Sequence, residues 1–341
     1  MSVIDPVSAD RLFGWRHAFD HPVTVGILGG VAAILIVAPI VFTVLSRAGV
    51  IDEKLRRDLW VRYFAWLVLV PVLVVPVLLG AAWTIAAVTL LSLFCYREYA
   101  RATGLFREKF ISLLVVLGIL ALSFATFDHW YDLFTALIPL TTGAIAALAV
   151  LADRPKGYIQ RVALAVFGFL LFGCALGTLG YMANDAQYRP IILLILVAVE
   201  LNDVFAYVSG KTFGRRKLAP NTSPGKTLGG ALGALILTTP LVAVGFHFIF
   251  RDTPLDKLLW LLPLGVIVSV LGQFGDLVLS SVKRDLGVKD LGATIPGHGG
   301  LLDRFDSLLL VAPAVFHYVG QFVGFGLDQP IWVITGGGVM P

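Results

Sequence analysis

The sequence predicts an all-α, polytopic transmembrane helical protein of about ten spans, with a polar site at the cytoplasmic face. Three observations lead there. The 341 residues are 58% hydrophobic and only 14% charged, with a mean hydropathy of +0.88, whereas a soluble domain is about one quarter charged. Apolar runs long enough to cross hydrocarbon as helices recur along the chain. The remaining charge is gathered into a few loops, most densely in GDLVLSSVKRDLGVKDLGATIPGHGGLLDRFDS, Gly275 to Ser307.

The N-terminal MSVIDPVSADRLFGWRHAFDH carries Asp5 and Asp10 but no cationic stretch ahead of the first apolar run, 22–46. That run reads as a retained span and not as a cleaved signal peptide. Segment 51–62 (IDEKLRRDLWVR) reads as a short interfacial amphipathic helix. The unbroken apolar stretch 64–96 is too long for one span and divides at 64–80 and 81–96, with Pro71 and Pro76 as kinks. Further spans follow at 110–127, 132–152, 158–182, 190–209, 227–250, 259–282 and 305–326. Cys95 and Cys174 both lie inside apolar runs, which supports neither a disulfide framework nor a metal knuckle.

Basic residues concentrate at 47–62, 97–109, 154–161, 211–226 and 283–289, while loops such as TFDHWYD and ANDAQYR carry almost none. Ten spans place every basic loop on one face, which the positive-inside rule makes cytoplasmic, with both termini outside. The pI of 9.1 therefore reflects topology and contact with anionic lipid or phosphate, and no nucleic acid is expected. The organisation expected is an N-terminal extension with one span and a basic loop (1–62), a transmembrane helical region (63–197), a catalytic transmembrane region with two motif loops (198–330) and a tail (331–341).

The chemistry-bearing residues come in two groups. Gln273, Asp276, Ser280 and Lys283 are spaced to share a helical face. Asp276 lies about two turns inside its span, where a carboxylate needs a partner or a wet cavity. Lys283, Arg284, Lys289 and Asp290 follow, then a turn with Gly297, Gly299 and Gly300 that lets backbone approach a ligand. A helix starting beyond Gly300 puts Asp303 in its first turn, where the dipole keeps it ionised. Two carboxylates from different helices, ringed by Lys and Arg, suit Mg²⁺ together with phosphate oxygens. The plain alternative for Asp276 is a buried acid neutralised by a neighbouring base.

In the second group Glu200, Asp203, Tyr207 and Gly210 share a face, and Lys211, Arg215, Arg216, Lys217, Ser223, Lys226 and Thr227 follow. PGKT is not a P-loop: the position needing Gly is Pro220, and no strand is expected before it. The helix starting near Thr227 could still cradle phosphate at its N-terminus, against the alternative of an ordinary basic loop. His298 lacks a second His or Cys at ligand spacing, so zinc is not expected, and phosphate-donor and loop-anchor roles stay open. His247 and His317 sit in spans without acidic company and read as packing or interface residues, and Glu98 reads as part of a solvated helix-end cluster.

These residues resemble a known family. SSVKRDLGVKDLGATIPGHGGLLDRFD is similar to the signature of the CDP-diacylglycerol synthases (phosphatidate cytidylyltransferases), as are Gly275-Asp276, NDVFAYVSGKTFG and SPGKT. The likeness is specific over about 200–307, looser over about 60–200 and absent before that. It implies Mg²⁺-dependent transfer of a cytidylyl group from CTP to phosphatidic acid in an integral protein of the cytoplasmic membrane. The implied metal ligands are Asp276 and Asp303. Lys283, Arg284, Lys289 and Asp290 complete the implied catalytic set. Asp203, Tyr207, Ser223, Lys226, Thr227, Ser280, His298, Gly299, Gly300 and Arg304 form the implied substrate-binding set. One departure stands out: after SPGKT the family usually has an aromatic residue and then Glu or Gln, where this chain has Leu228 and Gly229. The competing readings are a relative acting on another lipid phosphate and an inactive scaffold or transporter. A transporter would place its ionisable groups near the midplane at a repeat interface, and no repeat is evident. A homodimer remains an open expectation.

Overall fold

The computed structural model describes residues 4–49, 51–292, 294–295 and 299–336. Thirteen α-helices lie among them: α1 Pro6–Phe13, α2 Pro22–Arg47, α3 Glu53–Leu79, α4 Ala81–Ala102, α5 Lys109–Phe127, α6 Tyr131–Ala149 and α7 Tyr158–Gly168, then α8 Leu176–Tyr181, α9 Tyr188–Phe213, α10 Leu228–Ile249, α11 Leu258–Asp285, α12 Leu302–Phe305 and α13 Leu308–Gly320. A π-type segment, Phe169–Ala175, joins α7 to α8.

The local sequence sets where these helices start. Asp5 Oδ1 accepts from Ser8 N at 2.9 Å and Asp52 Oδ1 from Leu55 N at 2.7 Å, each satisfying an otherwise orphaned donor of a first turn. Pro6 and Pro22 stand at first helical positions, where the missing N–H costs nothing. Gly80 separates α3 from α4 at φ 145°, with the Leu12 carbonyl so close that a Cβ would lie 2.2 Å from its oxygen. The long apolar stretch therefore breaks where expected, while Pro71 and Pro76 stay inside α3. Segment 51–62 is no separate interfacial helix: from Glu53 it is the first part of α3, because Asp52 caps the start and nothing after it interrupts the helix.

Among the described residues, eight helical segments are long and apolar enough to cross a membrane: α2, α3, α5, Tyr131–Ala152, Tyr158–Asn184, α9, α10 and α11. They coincide with eight of the ten expected spans. The other two fall on α4, whose end carries Arg97, Glu98 and Arg101, and on α13, which has only 13 residues. The protein is an all-α polytopic membrane protein.

Helices α9, α10 and α11 pack side by side and hold the site at their loop ends. Their shared polar contact is Asn202, which is fully buried. Its Oδ1 accepts from Thr238 Oγ1 at 2.9 Å and Ser269 Oγ at 2.7 Å, and its Nδ2 donates to the Ser269 carbonyl at 3.3 Å. An amide bonded through both its oxygen and its nitrogen ties three helices together at a fully buried position. Between α9 and α10 the chain forms an antiparallel hairpin, β1 (Lys217–Ala219) with β2 (Ser223–Thr227). Contrary to the expectation of no strand there, SPGKT is itself the second strand. It runs directly into α10 with no intervening glycine loop, so the P-loop reading stays excluded.

Candidate active site

Asp276 sits on the inner face of α11. Its Oδ2 lies 2.7 Å from Lys226 Nζ, and its Oδ1 accepts from Ser280 Oγ at 3.0 Å. Lys226 arrives from β2 and also donates to the Gln273 carbonyl at 3.2 Å, so the hairpin is fastened to α11 through one ammonium. Arg284 Nε adds a second fastening, to the Thr222 carbonyl at 3.1 Å. Thr227 caps α10, its Oγ1 accepting from Gly230 N at 3.1 Å.

Asp303 stands in the first turn of α12, as the sequence led us to expect. Its Oδ1 lies 2.9 Å from Lys283 Nζ, and its Oδ2 accepts from Leu291 N at 3.1 Å and Gly300 N at 3.0 Å. Lys283 also acts electrostatically on Asp276. Gly299 adopts φ 82°, and a Cβ there would come within 3.2 Å of both Asp290 Oδ1 and Asp303 Oδ2. The backbone reaches the carboxylates only because the residue has no side chain.

The expected residues are distributed around these two ion pairs. Asp203, Tyr207, Ser223, Lys226, Thr227 and Asp276 line one polar cavity of about 770 Å³. Lys211 and Lys217 line it too. Arg304 stands next to Asp303, in electrostatic contact with Glu200 and Asp203, and its buried Nε has no partner among the described residues. Glu200 does not itself line the cavity. Lys289 and Asp290 are exposed at the loop surface. His298 lies outside the described residues. Below α12 is a second, apolar cavity of about 650 Å³, lined by Leu301, Phe305 and Leu308 together with Pro71 and Pro76 of α3.

Sequence reasoning missed Glu98. It is buried at the end of α4 and is no solvated helix-end charge. It accepts from Thr294 Oγ1 at 2.5 Å, Leu301 N at 3.1 Å and Leu302 N at 2.8 Å, fixing the loop that carries Asp303. A Cβ on Gly292 or Gly300 would stand 2.6 Å from this carboxylate, so both glycines admit it. Asp306 was likewise given no role; it is buried, in electrostatic contact with Asp203, Asp276 and Lys283. His247 is also corrected: the loop after α10 folds back and places Asp256 Oδ1 2.5 Å from its Nδ1.

Gly229 has a steric reason. A Cβ there would lie 2.7 Å from the Phe213 carbonyl oxygen, because the last turn of α9 closes onto the start of α10. Introducing the Glu or Gln that the resemblance leads one to expect at this position would wedge these helices apart, and overpacking of this kind costs about 1–3 kcal/mol. Gly229→Glu is expected to lower the thermal midpoint of the purified protein by several degrees, with Gly229→Ala between it and wild type. An unchanged midpoint for Gly229→Glu would show that the α9–α10 contact is slack.

With the geometry in place, comparison with known sequences identifies the class. The profile of the cytidylyltransferase family matches residues 60–322, and the chain belongs to that family. Among individual relatives, the uncharacterized protein YnbB of Escherichia coli K12 is 34% identical over 250 residues, covering 71% of this chain and 81% of that one. The phosphatidate cytidylyltransferase of Rickettsia felis is 28% identical over 267 residues, covering 77% and 93%. That of Staphylococcus haemolyticus is 43% identical over 151 residues, covering 42% of this chain and 56% of that protein.

Proposed function

We infer that this chain transfers a cytidylyl group from CTP to phosphatidic acid, giving CDP-diacylglycerol and pyrophosphate for phospholipid biosynthesis. The observation that carries the reading is the pair of Asp–Lys contacts, one of them in the lining of the polar cavity, together with the apolar cavity lined by Leu301 and Phe305 on either side of Asp303 in the chain. The reactants are a soluble, highly charged nucleotide and a phosphate on two acyl chains, and each cavity suits one of them. The relatives named phosphatidate cytidylyltransferase support this choice of substrates.

Mg²⁺ fits the residues present. Asp276 and Asp303 offer hard carboxylate oxygens, the donors this ion prefers, and each already faces a cation in the form of an ammonium. When bound, the ion would neutralise phosphate charge and polarise the bond that breaks. The chain's own groups supply the rest. Lys226 and Lys283, turned from their carboxylates, hold phosphate oxygens as point charges, and Arg304 offers a planar fork. An oxygen of the acceptor phosphate bonds to the α-phosphorus of CTP as the bond to the β-phosphate bridging oxygen breaks, and pyrophosphate departs. No strong general base is required, because a phosphate monoester is already ionised near neutral pH. The residues chiefly bring two anions together and offset the charge on the leaving group.

The basic loops support placing this site at the cytoplasmic face of the cytoplasmic membrane, where CTP is available. A second reading, with another lipid phosphate as acceptor, is favoured by the lack of room for a polar side chain at Gly229. The deciding experiment incubates purified protein in lipid micelles with Mg²⁺, labelled CTP and phosphatidic acid. Label is expected in the lipid. Folded protein that labels no phosphatidic acid but does label another lipid phosphate would replace the acceptor, and label in neither would sink the transferase reading.

A further inference from the structure

A third cavity, of about 620 Å³, lies far from the site just described. It is built by α1, the turn after it, the start of α2 and the start of α9. Helix α9 has 26 residues and spans about 39 Å. Its Tyr188 end borders this cavity and its Gly210 end borders the polar one, so the two open at opposite faces of the membrane.

The floor carries two guanidinium groups, Arg11 and Arg189, each 8% exposed. Arg11 Nη1 donates to Asn184 Oδ1, and Arg189 Nη2 donates to the Gly14 carbonyl at 2.8 Å, with its guanidinium 4.8 Å from the Tyr188 ring centre. Arg11 Nε and Nη2, Arg189 Nε and the fully buried Thr24 Oγ1 have no partner among the described residues. All four can donate. Burial pulls the Arg11 pKa down only to about 10, so it stays charged at neutral pH.

Asp5 and Asp328 act electrostatically on Arg11, and the acids that line the cavity have other hydrogen-bond or ion-pair partners. His17 bridges Asp10 at 3.2 Å and Asp20 at 2.6 Å. Asp185 accepts from Gln187 N at 2.7 Å and Gly326 N at 3.4 Å. Buried donors are normally satisfied, and the hydrogen bonds to Asn184 and Gly14 leave Arg11 Nε and Nη2 and Arg189 Nε without a partner among the described residues. What is lacking is an anion with several acceptor oxygens, for which phosphate geometry matches the guanidinium fork. The surroundings indicate its source. Val7, Phe13, Trp15 and Phe19 are exposed along α1 and the following turn, an apolar and aromatic fringe of the kind that settles at headgroup depth.

We propose that Arg11, Arg189 and Thr24 form a binding site for the phosphate of an anionic phospholipid headgroup, on the membrane face opposite the cytidylyl-transfer site. The site stands independently of the transferase reading. It gives the N-terminal segment, which precedes the family's matched region, a function as one wall of a lipid clamp.

The test is native mass spectrometry of the full-length protein released from detergent, with phosphatidylglycerol as the probe. Wild type should retain one phosphatidylglycerol that survives delipidating washes. Arg11→Gln with Arg189→Gln should lower that occupancy at least tenfold. Because two buried arginines also support the fold, a second variant fills the cavity from outside: Ala186→Trp, at an exposed rim position, leaves both guanidiniums intact. It should lose the lipid equally while unfolding at the wild-type temperature. Retention that persists in Ala186→Trp overturns the proposal. So does displacement of the lipid by millimolar inorganic phosphate alone, which would make the site one for a soluble anion.

Discussion

Asp303→Asn is expected to reduce cytidylyl transfer by roughly a hundred- to ten-thousandfold while the protein remains folded. The side chain is 4% exposed and its two oxygens take three contacts, from Lys283 Nζ, Leu291 N and Gly300 N. An amide can keep only one oxygen. Whichever way it turns, its NH₂ faces either the ammonium or two backbone N–H groups. Removing one partner of a buried ion pair costs about 3–5 kcal/mol, and each 1.36 kcal/mol is about tenfold in rate. The measurement is single-turnover transfer from labelled CTP at saturating Mg²⁺, alongside the thermal midpoint. Transfer within threefold of wild type would exclude Asp303 from the reaction. The helical bundle itself should survive, because Asp303 joins two loop segments and α11 and does not hold the spans together.

Glu98→Gln is the second large effect, expected at about ten- to a thousandfold on kcat with a small change in KM for CTP. Glu98 sits beneath the loop, and its carboxylate accepts from Thr294 Oγ1, Leu301 N and Leu302 N. Hydrogen bonds to a charged acceptor contribute about 1.5–3 kcal/mol each, and a glutamine would leave at least one of these donors opposed by another donor. The loop would then stand displaced by a fraction of an ångström, enough to misplace Asp303 for the reaction. A positioning role predicts that Glu98→Asp, which keeps the charge at shorter reach, recovers part of kcat. Equal losses for Glu98→Gln and Glu98→Asp would point to a role in the chemistry itself.

Hydropathy made the all-α class and eight long spans legible, because a helix crossing hydrocarbon must be apolar over its full length. α13 was harder to place, since its apolar run extends past the helix into a turn at 321–323. The Asp276 side of the site was legible through the three- and four-residue spacing along α11, and the first-turn position of Asp303 through the glycines before it. Glu98 was not legible. Its partners lie 196 to 204 residues away, and no periodicity along one helix encodes a contact of that range. The hairpin was missed for a different reason: SPGKT has no alternating apolar pattern, and its pairing is set by short range to Lys217–Ala219. Arg11 and Arg189 were hidden in the same way as Glu98, since nothing near either residue in the chain announces the other.

The clasp between Glu98 and residues 294–302 has a consequence for how the protein is made. Synthesis proceeds from the N-terminus, so α4 is made with its acid still lacking every one of the donors from which it finally accepts. Six further long helical segments are made before Thr294, Leu301 and Leu302 leave the ribosome. A nascent chain stopped short of α12 therefore contains almost the whole bundle and no working centre. The last few dozen residues complete both the loop that carries Asp303 and the burial of an acid made long before them.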